Sequence, residues 1–149
     1  MINGIFHAHS GVRYLVLLAA LVAVIVLAMG AFGRQPFGKA SRISLAAFTG
    51  LLDLQITLGI IMVIFGCFYG ALMGHMMMMI LAAVAAHGLS VYARKQADPR
   101  RAHTIALVGV ALALALIVGG IGAIGRSPVG STGRATCTAA GNPSASNPA

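Results

Sequence analysis

The strongest constraint in this sequence is a long apolar run interrupted by histidines: residues 74–92 read GHMMMMILAAVAAHGLSVY. The run is long and apolar enough for a membrane span, where an imidazole costs free energy unless it finds a partner. His75 and His87 are therefore candidates for function. Twelve positions apart, they point about 120° from each other on a helix and differ by ~18 Å in depth, which assigns them to different layers and different sites.

The whole chain follows that pattern. Of 149 residues, 59% are hydrophobic and 8% charged, a composition that excludes an ordinary soluble domain and favours an all-α integral membrane protein in the lipid bilayer. The formal charge of +8 comes from ten Lys and Arg against two acids, Asp53 and Asp98. Nucleic acid is not the expected partner, because the basic residues cluster in short turns between apolar runs and form no stripe with aromatic residues. Two cysteines, Cys67 and Cys137, are too few for a disulfide framework or a thiolate metal cage. No signal peptide is expected either, since the first positive charge, Arg13, follows two histidines instead of leading the apolar run.

Four spans are expected, over residues 9–32, 42–66, 74–92 and 104–124, in an up-down four-helix bundle. The first turn, GRQPFGKAS, has the proline and glycines that end a helix. The second is short, with Gly66, Gly70 and Gly74 spaced for close backbone approach. The third, ARKQADPRRAH, is the most charged. In the fourth span, Gly109, Gly119, Gly120 and Gly122 read as close-packing sites. The helical domain is expected over residues 1–126, and the Gly, Ser, Pro and Ala-rich segment 127–149 reads as a disordered tail.

Charge predicts orientation. The first and third turns carry Arg34, Lys39, Arg42, Arg94, Lys95, Arg100 and Arg101, against Arg13, Arg126 and Arg134 on the other face. That bias places the two turns in the cytoplasm of a bacterial inner membrane, with both termini outside. Cys67 and Cys137 then share the outer face. Eleven residues after Arg126, at up to ~3.3 Å each, let the tail reach across the bundle, but it has no packing to hold it, so unpaired thiols are expected.

The same orientation gathers His7, His9 and His75 into an outer layer. A b-type haem fits that layer: His9 and His75 ligate iron from opposite sides, Arg13 reaches a propionate, and small residues below them (Ala20, Ala23, Ala82, Ala86) leave room for a flat cofactor. The alternative is three interfacial histidines in the headgroup zone. Met76 to Met79 suggest Cu(I), but only Met78 and Met79 share the face of His75, and flexible packing explains the run better. In the inner half, Asp53 at ~15 Å depth and His87 at ~10 Å lie within side-chain reach of each other, as a proton relay serving a quinone or as a polar clamp. Gln55 points to another face and is placed to bond across helices, while His103, beside Arg100 and Arg101, reads as a solvated helix-start residue. The offset between His75 and His87 allows at most one haem. No pairing of nucleophile and base supports a hydrolase.

With these residues in view, the chain resembles a family of small four-span bacterial membrane proteins labelled cytochrome b-like. The matching stretches are HSGVRYLVLLAALVAVI, GRQPFGKASR, DLQITLGIIM, GHMMMMILAAVAAH and RRAHTIALVGVALALALI, within about residues 7–126. The resemblance implies that His9, Arg13, Gln55, His75 and His103 occupy the family's recurrent polar positions, with Asp53 where relatives have Asp or His. Two departures stand out: Gly74 replaces an acidic residue before the histidine, and GRSPVG replaces a Pro-Trp ending.

The expected function is membrane electron transfer through one b haem between the first and third spans, linked to quinone or to a larger membrane redox complex. The competing expectation is a cofactor-free accessory subunit of a respiratory or photosynthetic complex.

Overall fold

A computed structural model describes residues 2–33, 35–65 and 70–125. They form four helices, α1 (Ile2–Gly33), α2 (Lys39–Ile64), α3 (Gly70–Arg94) and α4 (Pro99–Ala123), with no strand among the described residues. Each contains a segment long and apolar enough to cross a membrane. In hydrocarbon the backbone has no water to bond with, so helices satisfy it internally and expose side chains that lipid tolerates. Leu18, Leu21, Met29, Ile64, Met77 and Val84 accordingly face outward. The protein is a four-helix membrane bundle.

All four helix starts precede the expected ones, α2 beginning at Lys39 instead of Arg42. α1 begins at Ile2 instead of His9, so both N-terminal histidines are helical. α3 begins at Gly70, inside the expected hairpin. α4 begins at Pro99 instead of Thr104, because Asp98 caps it by accepting from the Arg100 backbone N–H and Pro99 supplies a preset first residue. Those five residues place His103 within the second turn of α4.

His103 is therefore not solvated, as the sequence suggested, but 1% exposed. Its Nδ1–H donates to the Pro99 carbonyl at 2.8 Å, and the Ser41 hydroxyl donates to Nε2 at 2.9 Å. The Phe37 ring meets it edge-on at 4.9 Å. On the fourth side is Gly30, where any Cβ would overlap the imidazole. The burial is affordable in free energy because both ring nitrogens have partners.

Around the ring of helices, α3 packs most closely on α4, α1 packs on α2 and α4, and α2 meets α3 least. The core is built from small residues on α1 and α3, namely Ala20, Ala23, Ala82 and Ala86, against larger ones such as Leu45, Phe48 and Leu52 on α2. These alanines are at most 3% exposed and packed into the core, whereas Val16 and Met79, on the same faces nearer the histidines, line a cavity. The glycines also divide. At Gly109 a Cβ would lie 2.7 Å from Leu89 Cβ, and at Gly120 2.8 Å from the Met79 methyl, whereas Gly70 and Gly122 have nothing within 4 Å. Of the evenly spaced glycines of the second turn, Gly70 and Gly74 make no close approach, Gly74 having only an ordinary neighbour at 3.9 Å, and Gly66 lies outside the described residues. Cys67, Cys137 and the segment 127–149 lie outside the described residues.

Candidate functional site: an imidazole-lined cavity

At the end of the bundle formed by the start of α1 and α3 and the end of α2 and α4, the packing opens into a cavity of about 230 Å³. All four helices contribute, with His9 and Arg13 from α1, Gln55 and Gly59 from α2, His75 and Met79 from α3, and Ile117 and Ile121 from α4. The remaining walls are apolar, Phe6 included, apart from Ser10. Few polar groups converging in an apolar cleft are the usual composition of a small-molecule site.

His75 is held from α4. Its Nδ1 donates to the Gly120 carbonyl at 2.9 Å, which fixes the tautomer and leaves the Nε2 lone pair without a proton. The approach depends on Gly120, whose missing Cβ would sit 3.4 Å from that nitrogen. His9 is held from α2 instead. Its Nε2 lies 3.1 Å from Gln55 Nε2, and its Cε1 and Nδ1 edge lies over Gly59. Gln55 is 8% exposed, and both its Oε1 and the His9 Nδ1 are buried with no partner in the protein. If the amide N–H donates to Nε2, a donor remains at His9 Nδ1 and an acceptor at Gln55 Oε1. Turning the amide over exchanges those roles. Either way the pair presents one donor and one acceptor.

The other expected members are placed differently. Arg13 lines the cavity, yet its Nη2 donates to the Tyr14 hydroxyl at 3.0 Å and its guanidinium lies over the Tyr14 ring at 4.8 Å. His7 is exposed, beside Phe6, and does not line the cavity, so of the three expected histidines His9 and His75 meet there. The methionine run divides by helical phase. Met76 and Met79 line the cavity, Met77 is 59% exposed, and Met78 lies against the glycines of α4.

Asp53 and His87 meet as the depth estimate allows, with His87 Nε2 2.9 Å from Asp53 Oδ1. The contact bridges α2 and α3 outside the cavity, and its side chains are 54% and 47% exposed. It clamps the loosest seam from its outer side. Gly120 and Gly59 were not readable as site residues, because a glycine's contribution of a carbonyl or a free space carries no side-chain signal.

Haem ligation asks each imidazole to turn Nε2 toward the iron while the other nitrogen is held. His75 meets that requirement. His9 does not in this conformation, because its Nε2 is occupied by Gln55 and its opposite edge faces α2. Fold and site together define a class: a four-helix membrane bundle with an imidazole-lined cavity at one end. No family model, curated protein or solved structure matches the chain.

Proposed function

We propose that the protein is a membrane electron-transfer component whose cavity holds a redox group and exchanges electrons with quinone or with a larger redox complex. The observation that carries this reading is the convergence of His75, with Nε2 left open by its bond to Gly120, and the His9–Gln55 pair on one cavity in an otherwise apolar bundle. Ionisable residues inside spans mark redox, proton or ligand sites more often than they serve packing alone. The resemblance to the cytochrome b-like four-span family points the same way, and the positive charges at the opposite end favour a bacterial inner membrane with both termini outside the cytoplasm.

A b haem is the group the sequence invites. In this conformation the residues present fit its ligation only at His75. The second reading, a cofactor-free accessory subunit, is favoured by the half-exposed Asp53–His87 pair, a polar contact on a face where a neighbouring subunit would find it. Visible spectra of protein purified from haem-replete cells test both. A Soret band lost in both His9→Ala and His75→Ala supports bis-imidazole haem. A band lost only in His75→Ala supports a single ligand. No band, together with no bound quinone on solvent extraction, supports the accessory subunit.

A further inference from the structure

We infer that the cavity is a binding site for the hydroquinone headgroup of a lipid-soluble quinone, entered sideways through the α2/α3 seam. The inference rests on the proposed redox reading and names the ligand class of that same site.

The entrance follows from packing. α2 and α3 meet least of all neighbouring helices, and the cavity lies directly behind that seam. Ile60 on α2 and Ile80 on α3 line the cavity and are also 50% and 53% exposed on the outer surface. A ligand can thus pass from the acyl chains into the cavity between branched aliphatic side chains, without crossing water. A hydrophobic tail trailing back through the seam would remain among apolar groups.

The headgroup chemistry follows from the polar atoms. On the α3/α4 side stands one acceptor, His75 Nε2, since its Nδ1 proton is committed to Gly120. On the α1/α2 side stand the acceptor and donor left over by the Gln55–His9 bond, buried and without partners in the protein. A ligand that satisfies both sides is flat and small, with oxygen at two opposite ends. A hydroquinone does so: one hydroxyl donates to His75 Nε2, and the other donates to Gln55 Oε1 while accepting from His9 Nδ1–H. The oxidised quinone has only carbonyl acceptors. It can accept on the α1/α2 side, but His75 has no proton to give it. The site therefore favours the reduced form by two hydrogen bonds, those donated to His75 Nε2 and to Gln55 Oε1. A sterol, with one hydroxyl, satisfies one side only.

The test uses the full-length protein in lipid nanodiscs, titrated with a decyl-substituted benzohydroquinone and with its oxidised quinone. Binding is read as saturable uptake above that of protein-free nanodiscs. Each added hydrogen bond corresponds to about tenfold, so with two more the hydroquinone should bind about a hundredfold tighter than the quinone. Gln55→Met and His75→Leu should each lower hydroquinone affinity about tenfold, and Ile60→Phe, which touches no polar group, should slow uptake at the seam. His87→Gln, outside the cavity, should change nothing. Helical content by circular dichroism separates loss of binding from loss of fold. The site is overturned if uptake does not saturate, if the quinone binds as tightly as the hydroquinone, or if binding survives both Gln55→Met and His75→Leu in folded protein. Saturable binding in a protein that undergoes no electron exchange would retain the site and remove the redox reading. A haem spectrum in protein that excludes hydroquinone would do the reverse.

Discussion

Gly30 of α1 and His103 of α4 occupy one continuous volume, the glycine supplying the space that the imidazole fills. The pair fastens the first and last helices at the end of the bundle away from the cavity. A methyl group at Gly30 must displace a ring held by bonds to Pro99 and Ser41. Gly30→Ala should therefore destabilise the protein by ~1–3 kcal/mol, the range for overpacking a fixed site. Thermal unfolding in detergent measures it, and a melting temperature equal to wild type would refute the packing.

Ser41 tests the same cluster from its polar side. Its hydroxyl is the donor to His103 Nε2 in a position 4% exposed, so Ser41→Ala strands a buried acceptor. The expected loss is ~1–3 kcal/mol. Ser44→Ala offers a comparison, since the Ser44 hydroxyl bonds only to its own helix, at the Ser41 carbonyl. Its effect should be the smaller of the two in the same unfolding assay.

The glycines of α4 should separate sharply. A Cβ at Gly109 would meet Leu89 Cβ at 2.7 Å and the Ala85 carbonyl at 3.5 Å, both on α3, whereas one at Gly122 meets nothing within 4 Å. Gly109→Ala should cost ~1–3 kcal/mol by prising apart the closest seam in the bundle. Gly122→Ala should be neutral or slightly stabilising, because alanine is the better helix former. Equal effects in parallel thermal melts would contradict the α3/α4 packing.

The Asp53–His87 contact should be modest in energy, being half-exposed on the outer side of its seam. A double-mutant cycle with Asp53→Leu and His87→Leu should give a coupling of ~0.6 kcal/mol, typical of polar contacts between membrane helices. The doubly apolar variant should be at least as stable as either single variant, since each single change leaves one ionisable group without its partner. A coupling indistinguishable from zero would remove the clamp.

Much of this arrangement was readable from residue order. The apolar run with His75 and His87, and the three others, required helices because lipid offers the backbone no partners. Counting residues inward brought Asp53 to His87, because a helix converts sequence distance into depth at a fixed rise. The same regularity carried His9 and His75 to the same end of the bundle, where both line one cavity. The start of α4 was instead placed five residues late, at Thr104, although the Asp98–Pro99 capping pair is a local signal.

Rotation, close approach and partner choice were decided by tertiary structure. His103 looked solvated beside two arginines, and its burial depends on a glycine of α1 and a serine of α2 that nothing in its own segment reveals. His9 looked free to face His75, yet it is held by Gln55 over Gly59, because packing α1 on α2 sets which way that edge turns. The alanine stripes beneath the histidines, read as space, are packed into the core, and the open volume lies nearer the histidines, at Val16 and Met79. Sequence by itself determined the helices, their number and the depth of each polar residue, since these follow from hydropathy and a constant rise per residue. Which polar atoms are satisfied, which remain open and where space is left depend on how four helices rotate against one another, and that is fixed only when all their surfaces pack at once.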